Sequence, residues 1–374
     1  MYARVSYLLL LCLLSLIRTE AQPPNALADA RTLYRIHDYK DALDLLNDAV
    51  AANGAWAEAR NLRGMTLMAL GNLNMAITDF DSAIALFPHY IEAYNNRGLA
   101  LSQQGEYAKA RADFSFCLDL SVTNRDIYFF NRAGCALAQG HYEEALADYD
   151  QSIRINPESD DALNNRAKVK INLRDTAGAL ADYQLALRVD PGFIQGYMNR
   201  ALIEESQGRY QAAAEDYKQC LRWNPDDARA YGELGSLDEL YLHDEPGALK
   251  AFEKAIKLDP NAPNPYNDRG TVEIHQLHYR KALRDFSKAI ALNGFEASFY
   301  FNRAIAYKMM GKTRRALQDF GAAVQVDPDY ISALYNKGLI ESQSGDTQKG
   351  CPDLQRAADK GLTAAVRARA QFCH

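Results

Sequence analysis

Seven histidines are the first residues to test for chemistry: His37, His89, His141, His243, His275, His278 and His374. A catalytic centre needs a nucleophile, a base and oxyanion donors that converge in one pocket, and these residues are scattered along the whole chain. His275 and His278 are the exception, because three-residue spacing puts both on one face of a helix, where they can act as two metal ligands. No third donor stands near them, so they read as solvated surface histidines. The glycines recur at regular turns and form no phosphate-cradling loop. These residues therefore point to no enzyme, no metal, no cofactor and no small-molecule substrate.

Three other residue types recur at fixed spacing. Arg63, Arg97, Arg132, Arg166, Arg200, Arg269, Arg303 and Lys337 are each followed by an Asp, at Asp79, Asp113, Asp148, Asp182, Asp216, Asp285, Asp319 and Asp353. Where one charge is lost the other is lost too, as with Asp29 and Leu45 or Leu234 and Ala251. Loss in pairs marks a structural ion pair better than an anion-binding stripe. Immediately before most of these cations stands an Asn: Asn96, Asn131, Asn165, Asn199, Asn302 and Asn336. Asn is a mediocre helix former, so its recurrence at one position asks for a reason. At the same position Glu233 and Asp268 interrupt the series.

The elements that place these residues repeat every 34 residues. The stretches Ala57–Tyr90 and Ile194–Asp227 each read as a helix, a turn near a Gly, a second helix and a Pro stop. Ten copies start at residues 23, 57, 91, 126, 160, 194, 228, 263, 297 and 331. The eighth, twentieth and twenty-seventh positions are small in every copy, as in Gly64, Ala76 and Ala83. Four residues after the twentieth comes a large side chain, from Leu46 and Phe80 to Phe320 and Leu354. Small residues let two helices close to the short end of the ~8–10 Å range, and the large one fills the remaining wedge. Pro88, Pro157, Pro191, Pro225, Pro260 and Pro328 end second helices; Gly54 and Gly294 are expected to end theirs in a left-handed cap.

This length, with its small–small–large–Pro order, resembles the tetratricopeptide (TPR) repeat over nearly the whole chain after residue 22. The resemblance implies an all-α, right-handed solenoid whose first helices line a concave groove for peptides or protein segments. It places the Asn series in that groove, where each amide can pair with the C=O and N–H of a bound peptide unit. Glu233 and Asp268 become an acidic groove patch suited to Lys or Arg. The family's carboxylate clamp needs Lys at the fifth position. That position holds Asn61, Asn95, Phe130, Asn164, Met198, Gly232, Asn267, Phe301 and Tyr335, so no clamp is expected. The competing reading is an envelope scaffold that binds through its convex face or the ends of the array.

The two ends carry separate signals. Residues 1–21 read as a secretory signal, with Arg4, an apolar run from Tyr7 to Ile17, and the small residues Thr19 and Ala21 before a cut ahead of Gln22. A retained anchor is the alternative. The chain is thus expected in a bacterial periplasm or secreted, with the array at 22–360 and a capping helix at 361–374. Cys351 and Cys373 lie equally far from Leu362 at a turn between two antiparallel helices, an arrangement that suits a disulfide in such a compartment; two unpaired thiols are the alternative. Cys117 and Cys135 straddle another turn, but Cys117 already fills a small packing position. Net charge is −6, and an acidic chain without Lys/Arg clusters is a poor partner for nucleic acid. After the leader no segment is apolar enough for stable membrane insertion.

Overall fold

The computed structural model describes residues 26–373, and the expected leader at 1–21 lies outside them. Among the described residues there are 21 α-helices and no strand. Ten helix pairs run from Ala26–Arg35 with Tyr39–Ala52 to Ile331–Gln343 with Thr347–Asp359, and Thr363–Phe372 follows them. The periodicity predicts one continuous array. The structure divides it into two compact units, one ending at Pro191 and the other beginning at Gly192. The division falls between the fifth and sixth repeats, so each unit is an α-solenoid of five helix pairs, and the second also carries the final helix.

The three small positions and the large one make the core. Every large residue from Leu46 and Phe80 to Leu354 has no solvent exposure, and the twentieth-position alanines from Ala42 to Ala316 are equally sealed. The fit is tight: a Cβ added at Gly64 would lie 2.5 Å from Phe80, and one at Gly98 would lie 2.8 Å from Phe114. Contacts that close are forbidden between carbons, so Gly is required where the partner ring lies against the helix backbone. Burying ten such wedges is the main source of stability in a solenoid, because each repeat hides its apolar face only against its neighbours.

Left-handed residues occur, but not where they were expected. The second helices leave through extended residues, with φ −139° at Asn53 and −143° at Asn293, so Gly54 and Gly294 are not left-handed caps. Positive φ instead closes the turn inside each repeat. Gly71, Gly105, Gly140, Gly208, Gly311 and Gly345 hold it in six repeats, and His37, Arg174, His243 and Leu277 in the others. Leaving a first helix and reversing within three residues requires that conformation, which Gly adopts without steric cost.

The final helix buries Ala365 and Ala368 and exposes Arg367 and Arg369, the arrangement a closing element needs. Cys351 and Cys373 are joined by a disulfide with Cα atoms 5.7 Å apart. Cys117 and Cys135 are buried free thiols. Their sulfurs lie near Ile91 O and Ser102 Oγ respectively.

Candidate functional site

The recurring charges pair within repeats. Arg63 Nε and Nη2 each donate to Asp79 at 2.7 Å, and the same two-pronged contact joins Arg97–Asp113, Arg132–Asp148, Arg166–Asp182, Arg200–Asp216, Arg269–Asp285 and Arg303–Asp319. Lys337 reaches Asp353 at 2.6 Å. Each Asp is buried. Burial holds Asp113 and Asp216 above the ordinary carboxylate range even beside their guanidinium groups, so desolvation outweighs attraction at these sites.

The third guanidinium nitrogen has a task that the sequence pattern did not reveal. In several repeats it crosses to the second helix of the preceding repeat, reaching Asn47 from Arg63, Asp81 from Arg97, Ser115 from Arg132, Asp150 from Arg166 and Ser287 from Arg303. One side chain thus fastens two interfaces, and the arginines are spent on structure rather than left to a ligand.

The asparagines are half-buried on the face of the first helices, and part of their bonding capacity is already used. Asn96 Nδ2 donates to Asn61 Oδ1 at 3.0 Å, Asn131 to Asn95 at 3.3 Å, and Asn302 to Asn267 at 2.9 Å. A sixth-position amide therefore clasps the fifth-position amide of the repeat before it. Asn165 Oδ1 accepts from Asn164 and Lys168, Asn199 Oδ1 from Gln195, and Asn336 bonds Ser332 O and Lys308 Nζ. A clasped amide keeps one N–H and free lone pairs on its oxygen. That leaves one donor and one acceptor, the minimum for pairing with the C=O and N–H of a peptide unit. Asn61, Asn95 and Asn96 line a cavity of about 640 Å³ in the first unit, together with Tyr34, Tyr90 and Tyr128.

In the second unit two carboxylates stand among the asparagines of this face. Glu233 and Asp268 line a cavity of about 310 Å³ over Gly232, where an added Cβ would meet nothing within 4 Å. Burial and the neighbouring Glu233 push Asp268 up to about 6. Burial, Asp268 and Glu245 push Glu239 up to about 7. Burial and Glu205 also raise Glu233, against the pull of Arg229. Glu239 has one carboxylate oxygen that is shielded from solvent and accepts no hydrogen bond among the described residues. The shifts share one cause: the repeat packing brings like charges together where burial penalises the charged form.

Two family models match this pattern. One, described as TPR repeat, covers residues 64–105 and 137–173, and another, described as tetratricopeptide repeat, covers 91–121, 194–227 and 297–330. The chain is a tetratricopeptide repeat protein. Solved TPR-type solenoids share its fold. The C-terminal part of a TPR repeat-containing protein from Cytophaga hutchinsonii matches with TM-score 0.53 and 16% identity, over 65% of this chain and 98% of that one. A chain of the APC/C hetero-tetramer Cut9–Hcn1 matches with TM-score 0.51 and 14% identity, over 93% and 83%. No curated protein matches the sequence.

TPR proteins are protein-interaction modules and are generally non-catalytic. In this one, His275 ends a first helix and His278 lies beyond the left-handed Leu277, so the two histidines share no helical face. His278 Nδ1 lies 2.7 Å from Glu273. No group of His, Cys, Asp or Glu suited to a metal occurs among the described residues, and no described helix is long and apolar enough to cross a membrane. Glu239 was missed in the sequence because carboxylates are common on helix surfaces.

Proposed function

We propose that this TPR protein is a non-catalytic module that holds extended protein segments along the face of its first helices, in an exported compartment. The cavity lined by Asn61, Asn95 and Asn96 carries the reading. Amides bond peptide backbone whatever the side chains, so this stretch supports broad specificity. Each pairing nets only ~0.5–1.5 kcal/mol, since water leaves both partners, and ordering the segment consumes part of that. Affinity for a single short segment therefore falls near the micromolar range.

The acidic cavity of the second unit adds a preference for Lys or Arg. A cation binds the ionised carboxylates, so affinity rises as pH climbs through the raised value of Asp268, about 6. A labelled peptide of alternating Lys and Gly is expected to bind more tightly at pH 8 than at pH 5.5. Replacing Glu233 with Gln and Asp268 with Asn together should abolish that difference. Equal binding at both pH values, or unchanged binding by the double variant, removes the acidic cavity from the proposal.

Asp268 and Glu239 make a stability prediction of opposite sign. Their folded pKa values stand above the unfolded ones, so the stability they contribute is complete below pH ~4. It is lost as pH rises through about 6 and about 7. Ligand affinity and intrinsic stability are thus expected to move in opposite directions with pH.

A further inference from the structure

Repeat seven lacks the guanidinium that every other repeat from the second to the ninth carries, because Leu234 and Ala251 stand where Arg and Asp belong. The space is not refilled. A cavity of about 700 Å³ opens there, lined by Tyr231, Leu234 and Ala251, by four lysines (Lys218, Lys250, Lys254 and Lys257) and by the carboxylates of Asp238, Asp244 and Glu253. The equivalents of Tyr231 are Tyr94, Tyr197, Tyr266 and Tyr300, and each has its own repeat's Arg at 5.2–5.9 Å from the ring centroid. Tyr231 instead has Lys254 at 5.9 Å.

The charge at this place is reversed. The position on the preceding second helix that holds the acceptors Asp81 and Asp150 elsewhere holds Lys218 in repeat six. Lys218, Lys250, Lys254 and Lys257 form no salt bridge among the described residues. At the cavity wall Asp238 is buried, and burial and Asp244 hold its carboxyl above the usual value against the pull of Lys218. The basic character continues on the next second helix, where Arg280, Lys281, Arg284 and Lys288 are all exposed and Lys288 lies over Tyr266. Within a chain of net charge −6, the second helices of these repeats thus gather lysines and arginines, with Glu245 and Glu253 among them.

We infer that this cavity and its lysine rim form a second docking site, separate from the first-helix groove, for an acidic protein segment bearing one bulky apolar side chain. The apolar floor of Tyr231, Leu234 and Ala251 takes the side chain, and the four lysines take the flanking carboxylates. Aromatic or aliphatic anchors in pockets supply most of the affinity of such contacts, and the rim charges supply orientation and rate.

The test is fluorescence anisotropy on the full chain with a labelled ten-residue peptide of Asp and Glu carrying one central Phe. Binding should weaken steeply with added salt. The pair Lys250→Gln and Lys254→Gln, both on the surface and not expected to disturb folding, should weaken it by about tenfold. So should Leu234→Arg with Ala251→Asp, which restores the repeat's own ion pair and fills the cavity. The groove pair Glu233→Gln and Asp268→Asn should leave it unchanged, which separates failure of this site from failure of the groove. Replacing Phe by Ser in the peptide should also weaken binding. Absence of binding, equal binding by the lysine or cavity variants, indifference to the Phe, or tighter binding of a single-stranded DNA of equal charge would each overturn the inference.

Discussion

Arg200 shows how much a single side chain carries. Asp216 beneath it is buried, Arg200 Nε is 2.8 Å away, and no second cation contacts that carboxylate among the described residues. Removing one partner of a buried pair strands the other, so Arg200→Met is expected to cost ~3–5 kcal/mol, measured by urea unfolding. Arg166→Met should cost clearly less, because Lys170 Nζ remains 2.8 Å from Asp182. Replacing Arg200 with Met and Asp216 with Leu together should recover most of the loss, since the pair's net worth is small. Equal costs for the two single variants would show that the second cation does nothing. The pairing itself was legible in the sequence, because loss of one charge accompanied loss of the other. The depth of Asp burial and the crossing of the third nitrogen were not, because both depend on how far one helix pair leans on the next. Leu277 makes a second point at this scale. It holds a left-handed φ of 63° with its side chain 67% exposed, so it packs little and strains the turn. Leu277→Gly should stabilise the chain by ~1 kcal/mol; a destabilised variant would mean that the exposed leucine serves a contact.

The helix pair is the element that the sequence described best. Small residues at three positions and a ring at a fourth are constraints of contact distance, and such constraints leave a periodic trace. The turns were read less well: a Gly past a second helix looks like a cap, yet Asn53 and Asn293 make that exit in extended form. The asparagines were the other incomplete reading. A pattern at one position suggests one purpose, whereas the clasp joins two positions in different repeats and shows only when the repeats are stacked. The closing element gives a prediction at this scale. Cys351 sits in the last second helix, and Cys373 follows the final helix, 22 residues later. Cross-linking a loop of that length constrains the unfolded end by ~3 kcal/mol. Intact-mass analysis of unreduced protein recovered from an exporting cell should give a chain beginning at Gln22 and two hydrogens lighter than its reduced form. A mass that includes the leader would show a retained anchor. Two free thiols would leave the final helix held by packing alone.

At the scale of the whole molecule, both units carry asparagines on their first-helix faces, and the second adds the carboxylates Glu233 and Asp268, on a shared repeat frame. That difference comes from a few groove positions, which is why the fold was evident from spacing while the site was only partly so. Positions facing a ligand carry no packing constraint and hence no periodic signature beyond their identity. The central claim is that protein segments are held on the first-helix face. The most direct measurement places a photo-activatable residue at Asn96, inside the cavity of the first unit, or at Asp119, exposed on a second helix. Each variant is then illuminated in the native compartment. The account predicts cross-linked protein from the Asn96 position and little from Asp119, with the Asn96 product reduced when Asn131 and Asn165 are changed to Ala in a chain that still melts cooperatively. Cross-links from Asp119 with none from Asn96, or an Asn96 product indifferent to those two asparagines, would contradict it.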